Sequence, residues 1–330
     1  MKYDFLILGS NSFSGSNFVN YLLSKKYKVI GISRSKQKKK LFFPQTKKKS
    51  KFFLFKKLNL NRDQKKIIDL VNRYKPKYII NFAAQGMVNE SWKNPLDWYQ
   101  TNLISIIKLL QDLKNKKFLK KFIQFSTPEV DGNTSKKWIS ENYNFKPSTP
   151  YASSRAACDR HLLNLNDQIK FPVIFTRTAN VYGPSQDLYR IIPKTFSHLI
   201  FNKKIYLDGN GNSFRSFIHI DDVCEALNLI LKKGKIGETY HISTNKIISI
   251  KKLVYEILGV TKMKRKKLII LIKKDRLNKD KFYMLGSNKL RRLGWKDKIN
   301  LKDGLLDTYS WINKNKKKIK SLSTNYVHKK

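Results

Sequence analysis

The chain has 330 residues, 41% of them hydrophobic, and a formal charge of +46. That is enough apolar material for one large or two interlocked domains, and no run approaches the roughly 18 apolar residues of a membrane span. The charge raises nucleic-acid binding, but lysines are spread from end to end without zinc-ligand spacing, a basic heptad helix or an aromatic RNA-binding signature. The charge therefore reads as a solvated basic surface.

The first apolar run, Phe5-Leu6-Ile7-Leu8, ends in Gly9; it is too short for a signal peptide and reads as a buried strand. Gly9-Ser-Asn-Ser-Phe-Ser-Gly15 follows, and then a helix with apolar Phe13, Phe18, Val19, Leu22 and Leu23. Glycines at such a turn let backbone N–H groups and a helix N-terminus approach a pyrophosphate. Asn11, Ser12, Phe13 and Ser14 complete the cofactor loop, and Ser12 stands where a middle glycine is usual. Residues 27–33 read as a second buried strand, and this strand–loop–helix–strand unit opens a dinucleotide fold. The Lys-rich stretch 36–51 with Pro44 reads as a loop.

Further strands are expected at 52–57, 78–82 and 121–126, with helices at 63–74 and 97–113; this alternation predicts a parallel sheet with helices on both faces. A helix over 149–165 has Ser148 or Thr149 as N-cap and Pro150 at its start. It carries Tyr151-Ala-Ser-Ser-Arg155, whose spacing puts a phenol and a cation on one face. After Tyr182-Gly-Pro184 the elements shorten. The expected fold is a doubly wound Rossmann-type α/β sheet over 1–178 with a smaller substrate lobe over 179–330. Part of 214–243 is expected to return to the first domain, and 313–330 to form a frayed basic tail. Two cysteines, Cys158 and Cys224, exclude a disulfide framework and fit a reducing cytoplasm; five scattered His predict no metal site.

Several segments in order carry a resemblance over nearly the whole chain: the glycine loop, Asn81-Phe-Ala-Ala-Gln85, Ser91-Trp92, Ser126-Thr-Pro-Glu-Val130, Tyr151 and Asn180-Val-Tyr-Gly-Pro184. Gly209-x-Gly211-x-x-x-Arg215-x-Phe217-Ile-His-Ile-Asp-Asp222 and Leu290-Arg-Arg-Leu-Gly-Trp295 complete the series. The chain resembles the extended short-chain dehydrogenases/reductases of the nucleotide-sugar epimerase/dehydratase family, and within it the dTDP-glucose and GDP-mannose 4,6-dehydratase types. Asn81–Gln85 and Ser91-Trp92 lean toward the GDP-mannose type.

The resemblance implies that Tyr151 takes the proton of the sugar 4-hydroxyl, that Thr127 binds the same oxygen, and that the cation at 155 lowers the Tyr pKa and holds the nicotinamide ribose. That cation is Arg155 here in place of the family's Lys, and the two are not interchangeable. Glu129 stands where 4,6-dehydratases place the base that removes the C5 proton. Pro128 replaces the acid of the dTDP-glucose type, so Glu129 is expected to act as both base and acid. Asp131 replaces a usual Tyr. The resemblance further assigns Ala83, Ala84 and Gln85 to the cofactor, Asn180, Arg215 and Arg276 to the nucleotide sugar, and the helix before that of Tyr151 to a homodimer interface. In that helix Leu103, Ile106, Ile107, Leu110 and Leu113 have helical spacing.

The implied activity is 4,6-dehydration of an NDP-hexose to a 4-keto-6-deoxy sugar nucleotide with tightly bound NAD(P). A 4-epimerase or reductase is the alternative on the same fold, and a catalytically weak nucleotide-sugar-binding relative the alternative of another class. An NAD site of this fold places an acid at the end of the second strand. Here that strand ends in Ser33-Arg34, and neither Asp nor Glu occurs between Asp4 and Asp63. Arg34 beside Ser33 suits a 2′-phosphate, so NADP(H) is expected over NAD.

Overall fold

Apolar strands buried on both faces are what a parallel sheet under two helical layers requires, and the first two strands have that character along their whole length. A computed structural model describes residues 2–43, 51–275 and 281–329. Its main sheet contains β1 (Phe5–Leu8), β2 (Val29–Ser33), β3 (Phe53–Lys57), β4 (Tyr78–Asn81), β5 (Lys121–Ser126), β6 (Val173–Thr178) and β7 (Thr239–Ile242). All are parallel, in the order β7-β6-β5-β4-β1-β2-β3. The order reverses between β1 and β4, which puts the binding crevice of a doubly wound fold above the carboxyl ends of those strands.

Helices α1 (Phe13–Ser24), α2 (Gln64–Tyr74), α3 (Ser105–Leu113) and α4 (Pro150–Ile169) cover the sheet. Thr149 caps α4 by accepting from the Ala152 N–H at 3.1 Å, with Pro150 in the first turn where a missing N–H costs nothing. The helix runs to Ile169, four residues beyond the expected end, and closes on Lys170 in the left-handed region. The predicted helix over 97–113 is interrupted: Pro95–Tyr99 is α-helical, Gln100–Ile104 forms a π-turn, and α3 follows. On α3, Ile106, Leu109, Leu110 and Leu113 are buried in the protein's own core.

The smaller lobe holds α5 (Ile191–Ile200), then α6 (Ile220–Lys233), which takes the chain back to β7 in the main sheet, then α7 (Ile250–Thr261) and α8 (Leu301–Lys314). Two short sheets join it: Ile205–Asp208 with Ile269–Ile272, and Ile248–Ser249 with Phe214–Arg215 and Phe282–Tyr283. Its own core includes Phe196, Leu199, Leu253, Ile257, Leu305 and Ile312. The segment 313–330, expected to fray, has a different course in its described part. Helix α8 continues to Lys314, Lys316–Lys320 adds a further turn, and Ile319 is buried in the smaller lobe's core. Residues 324–329 lie along the surface through alternate side chains, contacts that the basic composition does not display.

No helix among the described residues is long and apolar enough to cross a membrane, and the described residues contain no His/Cys/Asp/Glu group that could hold a metal ion. Pro44 in the predicted loop lies outside the described residues.

Candidate active site

The catalytic candidates meet where the end of β5 faces the first turns of α4. Thr127 leaves β5 in extended conformation and starts the 3-10 turn Pro128–Asp131, its hydroxyl accepting from the Glu129 N–H at 3.4 Å. Across from it, the Tyr151 phenol lies within reach of Thr127 and within the fields of Glu129 and Arg155. Burial raises its pKa above the ordinary phenol value; the Glu129 carboxylate raises it further, while Arg155 and Thr127 oppose the rise. Tyr151 and Glu129 are each half-buried.

Arg155 is almost completely enclosed, at 1% exposure. Its Nη2 donates to the Phe125 carbonyl at 2.5 Å, tying α4 to β5, whereas Nε and Nη1 have no protein partner. Buried donors without partners are costly and rare. They sit one turn beyond Tyr151, where the acceptors of a ribose would satisfy them.

The other wall is the glycine loop. Gly9 has φ +75°, and a Cβ there would fall 2.6 Å from the Ala83 N, so only glycine allows this close approach of β1 and β4. The Ser12 hydroxyl turns into α1 and accepts from the Gly15 N–H at 3.0 Å, serving as N-cap. Ser33 faces the loop too, its Oγ accepting from the Asn11 N–H at 2.9 Å, while the Asn11 amide donates to Ser35 and Lys36 carbonyls. The Asn81 side chain accepts from the Ala83 N–H at 3.0 Å and so shapes the Ala83–Ala84–Gln85 turn. The glycine cradle and the unpartnered Arg155 nitrogens fit a dinucleotide. Gly9–Gly15 with Phe13 and Ser14 would take its pyrophosphate, Arg34 its adenosine ribose, and Tyr151 and Arg155 its nicotinamide ribose.

The sequence pattern of the family described as GDP-mannose 4,6 dehydratase matches residues 6–308. The chain belongs to this family. Human dTDP-D-glucose 4,6-dehydratase is 35% identical over 241 residues, spanning 72% of this chain and 69% of that protein. Among solved structures, dTDP-glucose 4,6-dehydratase from Bacillus anthracis in complex with NAD has a TM-score of 0.86 at 29% identity, covering 96% of this chain and 98% of that one. The dTDP-glucose 4,6-dehydratase of Streptomyces venezuelae, with NAD bound, has a TM-score of 0.88 at 25% identity, covering 95% and 98%.

Not every assigned residue is in the Tyr151 group. Asn180 is exposed at the start of the short strand Asn180–Tyr182. Arg215 is in the smaller lobe, donating from Nη1 to the Phe214 and Lys281 carbonyls at 2.7 and 3.0 Å with its guanidinium over the Tyr283 ring. Arg276 lies outside the described residues.

Other residues matter that the motifs did not single out. The π-turn swings Asn102 inward, where its side chain accepts from the Gln85 N–H at 2.8 Å and donates to the Gln85 carbonyl and Ser154 Oγ. Asp159, one turn past Arg155 and 1% exposed, accepts from Ser126 Oγ and Gln124 Nε2 and so clamps the end of β5 to α4. Arg190, at the start of α5, lowers the Tyr151 pKa through its charge. Asp159 was detectable as a carboxylate continuing the Tyr151–Arg155 face; Arg190 had no such sign.

Asp131, the departure from the usual Tyr, pairs with Arg177 at 2.6 Å, both side chains at most 2% exposed. Burial, only partly offset by Arg177, pushes its carboxyl up to about 6. A folded-state value above the unfolded one favours folding fully below about pH 4 and loses that contribution as pH rises through 6. In urea titrations, the stability of the unaltered chain minus that of Asp131→Asn is expected to fall by about 2 kcal/mol from pH 4 to 7. A flat difference would show that Asp131 does not titrate there.

Proposed function

We propose that the protein is a nucleotide-sugar 4,6-dehydratase, converting an NDP-hexose into an NDP-4-keto-6-deoxyhexose. The observation that carries this reading is Glu129, a carboxylate beside the Tyr151 phenol on the turn that also bears Thr127. A nicotinamide dinucleotide, when bound, would supply the redox capacity, taking up what C4 loses and restoring it at C6, where with a proton regained at C5 the product carries no net oxidation. Thr127 and Tyr151 hold the 4-oxygen, and Tyr151 takes its proton. Once C4 is a ketone the neighbouring C5–H is acidic, and Glu129 removes that proton. Pro128 has no proton to give, so the same Glu129 returns one to the departing 6-hydroxyl. Arg155 favours the phenolate, opposing the rise that burial and Glu129 produce. Incubating the purified protein with dTDP-, GDP-, UDP- and CDP-hexoses and weighing the products tests the reading. Loss of water supports it; unchanged mass with an altered sugar would make the protein an epimerase, and binding without turnover a weak relative.

For the cofactor, the solved relatives named above hold NAD, and this chain is read as preferring NADP(H). Support comes from the lack of any acid between Asp4 and Asp63 and from Arg34 at the end of β2. Ser33 is engaged by the glycine loop and Arg34 Nη1 by the Lys329 carbonyl, so the rest of the Arg34 guanidinium carries the preference. Arg34→Ala is expected to weaken NADPH binding by roughly 10- to 100-fold, the value of a charge-assisted hydrogen bond, and NADH binding less. Recovery of NAD alone from the purified protein, with affinities unchanged in that variant, would rule the preference out.

The homodimer is proposed on the outer side of the same helical region. With Ile106, Leu110 and Leu113 committed to the core and Leu103 packed against it, the apolar groups facing outward include Leu96, 81% exposed, Ile104, 40% exposed, and half-buried Ile107. Light scattering at micromolar concentration is expected to give twice the chain mass of 38.8 kDa; a monomer would contradict the proposal. The two buried, unpaired cysteines, Cys158 and Cys224, accord with a cytoplasmic location.

A further inference from the structure

The segment 324–329 has the exposure pattern of an extended chain laid on a surface. Thr324, Tyr326 and His328 are half-buried, while Asn325, Val327 and Lys329 are exposed; a period of two puts alternate side chains on one face. Each inward side chain meets a different part of the protein. Thr324 Oγ1 is 3.0 Å from His198 Nε2 on α5. The Tyr326 ring meets that of Tyr189 edge-on at 5.2 Å. His328 stacks on Trp98 with centroids 5.0 Å apart and places Nε2 2.7 Å from an Asp97 oxygen.

The last contact is made by backbone. The Lys329 carbonyl accepts from Arg34 Nη1 at 2.8 Å and from Gln85 Nε2 at 2.6 Å. Arg34 follows β2 and Gln85 follows β4, the two strands that flank β1. One carbonyl held from both sides therefore spans the crevice above the end of β1, where the glycine loop begins. Among the described residues, Thr324 bonds to α5 and His328 to Asp97, while the Lys329 carbonyl bonds to the residues flanking the crevice and not to the loop Gly9–Gly15. The segment thus runs from the smaller lobe to the dinucleotide domain and leaves the pyrophosphate cradle uncovered by direct bonds.

We propose that residues 324–329 form a strap across the mouth of the dinucleotide crevice, joining the two lobes and retaining the cofactor. The strap rests on the dinucleotide reading of the site. It makes His328 and the Lys329 backbone part of the cofactor site, and it sets the rate at which cofactor leaves. A strap over a bound ligand slows release, whereas a segment competing for the same space would weaken binding, so removal of the segment gives opposite signs in the two cases.

The test uses the full chain, a chain lacking residues 324–330, and His328→Ala. Each is loaded with NADH and with NADPH, and the fluorescence decay on chasing with a large excess of the oxidised form gives the release rate. Deleting the segment is expected to speed release about tenfold or more, as the loss of one or two net hydrogen bonds and a ring contact implies. His328→Ala is expected to give a smaller acceleration, about threefold, from loss of the Trp98 stack and the Asp97 pair. Unchanged release in both variants, or tighter binding after deletion, would overturn the strap while leaving the dinucleotide site intact. Failure of the full chain to bind either reduced cofactor would overturn both.

Discussion

Tyr151→Phe is expected to lower turnover by about 10²–10⁴-fold, because the phenol is the group proposed to accept the sugar 4-hydroxyl proton. With that acceptor gone, adding a nucleotide hexose should leave nicotinamide absorbance at its oxidised value, and no keto product should form. Substrate affinity should change little, since the ring and its packing remain. The variant is informative because it stops the sequence at its first step: if it still reduced cofactor on mixing with substrate, Tyr151 would not be the proton acceptor and the Thr127–Tyr151–Arg155 arrangement would need another role.

Glu129→Gln is expected to separate the two halves of the reaction. Loss of the proposed C5 base should cost about 10²–10⁴-fold in water elimination, while oxidation at C4 stays visible as transient reduced cofactor. A second effect follows from the charge. The Glu129 carboxylate raises the Tyr151 pKa, so its removal lets the phenol ionise at lower pH. The acidic limb of cofactor reduction should therefore move to lower pH in the variant. Full dehydration by Glu129→Gln would remove the reason for preferring dehydratase over epimerase, and an unmoved limb would place Glu129 too far from Tyr151 to matter.

Much of this was legible in the chain because the relevant signals are local. Continuous apolar runs in β1 and β2, glycines between strand and helix, and a Tyr and a cation four residues apart need no knowledge of distant partners. Thr149-Pro150 announced the start of α4 for the same reason. What was not legible depends on pairing over distance or on small departures from ideal geometry. Asp131 and Arg177 are 46 residues apart and become a buried ion pair only when β6 is laid beside β5. The π-turn at Gln100–Ile104 shifts the helical register just enough to turn Asn102 toward Gln85, and an apolar period read as one continuous helix hides it. The basic composition of the segment from residue 313 suggested fraying, yet Thr324, Tyr326 and His328 each find a partner on a surface that only the fold creates.

The central claim is that one site oxidises C4, eliminates water across C5 and C6, and restores the redox balance at C6. An NDP-hexose carrying deuterium at C4, incubated with the purified protein and followed by mass spectrometry and NMR, tests it most directly. The expected product has lost the mass of water and carries the label on its C6 methyl group. Loss of water with the label washed out to solvent, or a product of unchanged mass with deuterium still at C4, would contradict the account.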